Sequence, residues 1–157
     1  MHITVEKEIV VERPVQQVWK TFIDVNNWPK VFPNVIDSKI DGNLEVGKKF
    51  IMVLKGTIPF MPLHVEPTVL DVQENKLLRW RGSGKLGIKG VHDFIFQTVS
   101  KADKNTKGTS YSSTKIISRE VFTGKLVFLA LPLRSRVEKS FEVHLQGFKK
   151  YMEGRVP

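Results

Sequence analysis

The chain has no cysteine among its 157 residues. That excludes disulfide staples, cysteine-ligated zinc sites and thiol nucleophiles. It also lacks a long hydrophobic run. The longest, Leu126 to Leu133, is far shorter than the ~20 apolar residues that a membrane-spanning helix needs. The first residues, Met1-His2-Ile3-Thr4-Val5-Glu6-Lys7, have charge where a signal peptide would carry its apolar core, so the expected location is the cytoplasm. No Gly-x-Ser-x-Gly elbow is present to support a serine hydrolase. His2, His64, His92 and His144 stand at none of the short spacings of zinc-binding pairs, and neither a metal nor a cofactor is expected. There is no block of about five or more like charges and no internal repeat.

What is present is basic charge and an ordinary apolar fraction. Lys and Arg number 25 against 16 Asp and Glu, for a formal charge of +9, and 41% of the residues are hydrophobic. This length suits one domain with a real core, taken here as residues 1–157. A basic surface favours anionic partners. The ten Phe and three Trp lie at core-facing parity rather than interleaved with the basic residues, so nucleic acid is not an expected partner.

Periodicity divides the chain. Ile3, Val5, Ile9 and Val11 alternate with polar residues as one face of a strand. Pro14 opens a short helix in which Val15, Val18, Trp19 and Phe22 recur at helical spacing. A second short helix, from about Asn27 to Phe32, stops at Pro33. Strands follow: Val35 to Asp41, a run after Gly47 containing Phe50, Met52 and Leu54, His64 to Gln73, Lys76 to Arg81, Lys89 to Val99, and Thr109 to Glu120. A polar turn is expected from Lys101 to Gly108. After Gly124 the period lengthens. Leu133, Val137, Phe141, Leu145, Phe148 and Met152 form the apolar stripe of a long helix that Pro132 either starts or kinks. The segment Gly82-Ser83-Gly84-Lys85-Leu86-Gly87 matches the glycine spacing of dinucleotide sites. A strand rather than a helix is expected after it, so it reads as a glycine-rich strand connection.

The order of these elements, and Arg13-Pro14-Val15, Val18-Trp19, Asp24, Trp28-Pro29, Phe32-Pro33, Gly42, Gly47, Leu78-Arg79-Trp80, Gly90-Val91-His92-Asp93-Phe94, Gly108-Thr109, Gly124 and the closing Phe141 to Glu153 helix, resemble the SRPBCC superfamily. That superfamily includes START lipid-transfer domains and birch-pollen-allergen-like proteins, and the nearest likeness is to its bacterial polyketide cyclase/dehydrase-like group. The resemblance implies an α+β helix-grip fold: a seven-stranded curved antiparallel sheet around a long C-terminal helix, two short helices after the first strand, and an apolar cavity between sheet and helix. It implies binding or transport of a small hydrophobic ligand, with a cyclase/aromatase-type enzyme as an alternative; the basic surface and two apolar segments motivate a second alternative, a lipid- or membrane-linked interaction module. In one respect the chain departs from the resemblance. The stretch from Thr109 to Gly124 is longer than in many members, and the acid often found in that strand has only Lys115 or Glu120 at its place.

By parity, Phe50, Met52, Leu54, Leu78, Trp80, His92, Phe94 and Phe96 share the inner face of the sheet, opposed by Phe141 and Leu145, with Phe32 at an edge. Apolar walls with a few polar groups are how small-molecule sites are built. His92 is the candidate acid–base group if the protein is an enzyme, and Tyr111 a polar partner. Two apolar segments, Pro59-Phe60-Met61-Pro62-Leu63 and Leu126 to Leu131, are placed to cover a cavity mouth. With Lys55, Lys125 and Arg134 nearby, they are also candidates for weak contact with an anionic membrane.

Overall fold

The computed structural model describes residues 1–56, 60–84, 87–102 and 110–154, apart from the side chains of 101–102 and 110–111. The expected Lys101 to Gly108 turn falls largely outside these residues. The strands are β1 (His2–Val11), β2 (Val35–Lys39), β3 (Ile51–Leu54), β4 (Leu63–Val65), β5 (Thr68–Gln73), β6 (Leu77–Ser83), β7 (Lys89–Ala102) and β8 (Ser110–Thr123). The helices are α1 (Val15–Phe22), α2 (Trp28–Val31) and α3 (Arg134–Met152), with short 3-10 stretches at Val25–Asn27 and Val127–Leu133. Pro132 therefore lies just ahead of the long helix, inside the second 3-10 stretch.

The strands form a five-stranded sheet in the order β1-β8-β7-β6-β5 and a three-stranded sheet in the order β2-β3-β4, with all pairs antiparallel. The expected seven strands become eight because the run His64 to Gln73 divides at Glu66-Pro67. Pro67 has no N–H to give a ladder. Its carbonyl instead accepts from the Phe50 N–H at 3.2 Å, and Val69 N–H donates to Lys48 O at 2.8 Å. The chain thus changes partner at the proline: β4 joins β3, whereas β5 joins β6 and is tied back to the segment before β3. These bonds join the two sheets, and the joint bends the whole into a curved wall.

α1 buries Val15, Val18, Trp19 and Phe22, the face read from the sequence. Phe22 is fully buried and lies within ring contact of Trp28, Phe32, Phe94, Phe96 and Phe148. The dense core therefore sits where α1, α2 and the C-terminal half of α3 meet the middle of the large sheet. At that end α3 is fastened to the edge of β1, where Lys149 Nζ donates to Val10 O at 2.6 Å.

Candidate functional site

Antiparallel register lines up side chains in rows across the sheet. One row holds Leu78, Phe94 and Ser118, the next Trp80, His92 and Glu120, and the third Gly82, Gly90 and Phe122. The first is almost wholly buried, with Phe94 and Ser118 facing the cavity. In the third, two adjacent strands carry glycine, and a Cβ built at Gly82 would meet nothing within 4 Å. The space left open at Gly82, roofed by the N-terminal half of α3, belongs to a cavity of about 300 Å³.

Its apolar walls include Met52, Leu54, Leu63, Val65, Trp80, Phe94, Phe122, Val137 and Phe141. Its polar groups are Asn34, His92, Ser118, Glu120, Ser140 and His144, with Lys55 and Ser83 at the exposed margin. Of the residues expected from parity, Met52, Leu54, Trp80, His92, Phe94 and Phe141 line it. Phe32, Phe50, Leu78, Phe96 and Leu145 lie deeper, each almost wholly buried in the core beneath. Phe32 stacks on His144, with ring centroids 3.8 Å apart, and so supports the lining rather than forming it. Tyr111 pairs with Lys101 in the ladder, and its side chain lies outside the described residues.

The structure settles which residue of β8 brings an acid to the site. Lys115 pairs with Glu8 of β1 on the other face of the sheet, whereas Glu120 lines the cavity beside His92. Glu120 Oε2 is 3.7 Å from His92 Nδ1, and His92 Nε2 shares a 2.7 Å hydrogen bond with Ser118 Oγ. The imidazole is held face-on by Phe94 and Phe141, with centroids 4.1 and 4.8 Å away. Both of its nitrogens are thus directed at β8 groups. Glu120 lies over Gly90, where a Cβ would stand 2.3 Å from its Oε1, so the glycine is the notch that admits the carboxylate.

A second polar cluster comes from α2's exit and α3. Asn34 is buried; its Nδ2 donates to Ser140 Oγ at 3.4 Å, and its Oδ1 accepts from His144 Nδ1–H at 2.8 Å. That bond fixes the His144 tautomer. Burial pushes His144 down to about 3. Burial also holds His92 well below the ordinary histidine value, with the neighbouring His144 adding to it. Burial pushes the Glu120 carboxyl up to about 7. At neutral pH the cavity therefore holds two neutral imidazoles and a carboxyl group near its midpoint. Among the described residues no three His, Cys, Asp or Glu side chains gather as a metal site would require.

Sequence reasoning passed over Asn34, Ser118, Ser140 and His144 as site residues. For Ser118 and Glu120 the signal was parity: both stand an even number of residues from the buried Ile116. For His144 it was helical spacing, one turn from Phe141 and Phe148.

The class of protein is now defined: an α+β domain in which a curved antiparallel sheet grips a long C-terminal helix and encloses a mainly apolar cavity. The chain belongs to the family described as polyketide cyclase / dehydrase and lipid transport, whose model matches residues 2–153, and with it to the SRPBCC superfamily. It is similar in fold to the ZhuI aromatase/cyclase from Streptomyces sp. R1128, with TM-score 0.75, 14% identity, and coverage of 100% of this chain and 97% of that one. A START superfamily protein from Mycobacterium smegmatis gives TM-score 0.69 at 13% identity, covering 99% and 100%. Ara h 8.0201 gives 0.68 at 16%, covering 98% and 99%. No curated protein matches the chain. Likeness at these identities establishes the fold; function has to be argued from the site. No helix among the described residues is long and apolar enough to cross a membrane.

Proposed function

We propose that the protein binds and carries a small, mainly apolar ligand in the cavity between the sheet and α3. The observation that carries this reading is the cavity itself: about 300 Å³ and apolar-walled, with most of its polar groups on α3, β7 and β8. That volume is at the lower end of the ~300–1,000 Å³ usual for ligand pockets. It suits one ring system or a short chain rather than a two-chain lipid. The ligand's polar end lies at Glu120, which near neutral pH both donates and accepts hydrogen bonds, and its apolar body lies along Trp80, Met52 and Phe141.

Native mass spectrometry of gently purified protein, followed by solvent extraction, tests this. The expected result is a bound small molecule that disappears in Gly82→Leu, whose side chain occupies the cavity while the fold is retained. Protein that holds no ligand from any source, and takes up none when offered apolar aromatics or fatty acids, would overturn it.

A second reading, a cyclase-type enzyme, is favoured by one observation: a carboxyl held near neutrality 3.7 Å from an imidazole inside the cavity. In that reading Glu120 exchanges the proton with substrate, as a group with a pKa near the working pH does best. His92, engaged by Ser118 and Glu120, acts as its partner. Glu120→Gln and His92→Ala would then each abolish conversion of an aromatic or polyketide-like substrate without unfolding the protein. Recovery of every offered ligand unchanged sinks this reading and leaves the first intact.

A further inference from the structure

The cavity's rim is unusual in what it exposes. The lining residues open to solvent are Lys55, Leu63, Ser83 and Gly84, which mark the mouth. Two apolar segments adjoin it. The first runs directly into Leu63 from Phe60 and Met61. Phe60 is fully exposed and has φ of 63°. A bulky residue rarely adopts this left-handed conformation, and such strain concentrates at functional sites. The second is the 3-10 stretch Val127–Leu133. Gly124 just before it packs against Gly87, beyond the rim residue Gly84. Only Val127 of this stretch is buried. Phe128, Leu129 and Leu131 keep 47%, 49% and 44% of their surface exposed. Leu133 continues, at one-turn spacing, the line of Val137 and Phe141 that lines the cavity. The apolar surface therefore passes from the inside of the cavity, over its lip, to the outside. Scattered exposed apolar residues are ordinary, but a cluster at a binding-site mouth marks a docking surface.

We infer that this lip docks on an anionic lipid surface, with Phe60, Phe128 and Leu129 entering the headgroup boundary so that an apolar ligand passes between bilayer and cavity without crossing water. Charge selects this occupant. From Gly124 to Glu142 the chain carries Lys125, Arg134, Arg136 and Lys139 against Glu138 and Glu142, which pair with Arg134 and Lys139, so the segment keeps a net positive charge, and Lys55 stands at the mouth. A second copy of so basic a molecule, net +9, meets like charge across this face, whereas acidic headgroups meet opposite charge. An apolar wedge flanked by basic residues is how interfacial binding is built, each part being weak alone. The inference rests on the ligand-carrier reading for its purpose, but its test uses vesicles without ligand. An empty cavity with vesicle binding intact would count against the carrier reading alone.

The experiment is co-sedimentation of the full chain with vesicles of phosphatidylcholine, and of phosphatidylcholine mixed with phosphatidylglycerol, at low and high salt. Binding is expected only to the mixed vesicles, weakening as salt rises. The double variant Phe128→Asp/Leu129→Asp, and separately Phe60→Asp, should each lose at least about tenfold in partitioning, since apolar insertion and charge attraction are both required. Both should keep the wild-type circular dichroism spectrum. Absence of binding to the mixed vesicles overturns the inference. So does undiminished binding by both variants, which would leave basic charge alone as the cause. So does size-exclusion chromatography in which wild type is a dimer that these variants dissolve into monomers, which would make the lip an interface between copies.

Discussion

Gly82 and Gly90 face one another across β6 and β7, and what they lack makes the site. In a strand interior glycine costs stability and contributes no packing; here Gly82 keeps space open and Gly90 gives its place to the Glu120 carboxylate. The expected consequence of Gly82→Leu is loss of ligand uptake, with stability unchanged or raised because a strand gains a packing side chain; a urea titration beside the native mass measurement checks both. Gly90→Ala probes a different point. The new Cβ would stand 2.3 Å from Glu120 Oε1 and force the carboxylate off the notch. Glu120 should then titrate closer to the ordinary carboxylate range, which carboxyl-carbon NMR reads directly. A midpoint still near 7 would show that the notch does not hold the group. Both were conspicuous in the sequence, but Gly82 as part of a pattern resembling a nucleotide loop and Gly90 as part of the family resemblance. Their meaning depends on which residues stand opposite, and register across strands many residues apart is not written in local periodicity. For the same reason parity found the inner face and could not tell its filled half from its hollow half. Phe94 lines the cavity and Phe96, two residues on, is core filler.

Among the elements, those with a strong period were legible. α1, α3 and β1 lie where their apolar spacing put them, because each buries one face against the same core. The division of His64 to Gln73 into β4 and β5 was missed although Pro67 stood in view, because a proline shows that a ladder is interrupted and not which strand receives the chain afterwards. α3 serves two purposes along its length: its first turns roof the cavity through Val137, Phe141 and His144, and its last turns bury Leu145 and Phe148. The second function depends on Gly147, whose missing Cβ lets the Pro33 ring approach; a Cβ there would stand 2.1 Å from Pro33 Cδ. Gly147→Ala gains about 1 kcal/mol in helix propensity. It also drives a methyl into a rigid ring, and overpacking of this kind costs ~1–3 kcal/mol. The expected net result is a lower urea midpoint, accompanied by weaker ligand binding as α3 lifts. A higher midpoint would mean that the α2 exit yields freely and does not fix the helix.

For the molecule as a whole, the three buried ionisable groups around the cavity set a pH dependence whose terms oppose one another. Unfolded histidines take up a proton below about 6.5, whereas His144, pushed down to about 3, and His92, also held low, stay neutral in the fold. The unfolded chain then binds more protons, and stability falls as pH drops below about 6.5. Glu120 acts the other way. Folded, it holds its proton up to about 7, against an ordinary value of 4.5, so between those limits the folded state binds the extra proton and stability rises as pH falls. Two histidines against one carboxyl leave a net loss of stability on acidification below about 6.5. Glu120→Gln removes only the opposing term. Above pH 7 the variant no longer buries a carboxylate and should be more stable than wild type by about 3 kcal/mol. At pH 5, where the wild-type carboxyl is already neutral in the fold, the gain should shrink to about 1 kcal/mol. Below about 6.5 the variant's stability should therefore fall more steeply than wild type's. Urea denaturation from pH 4.5 to 8.5 measures both curves. If they run parallel, Glu120 is ionised in the folded protein throughout, and the cavity presents a fixed negative charge that would exclude anionic ligands such as fatty acids and favour neutral ones.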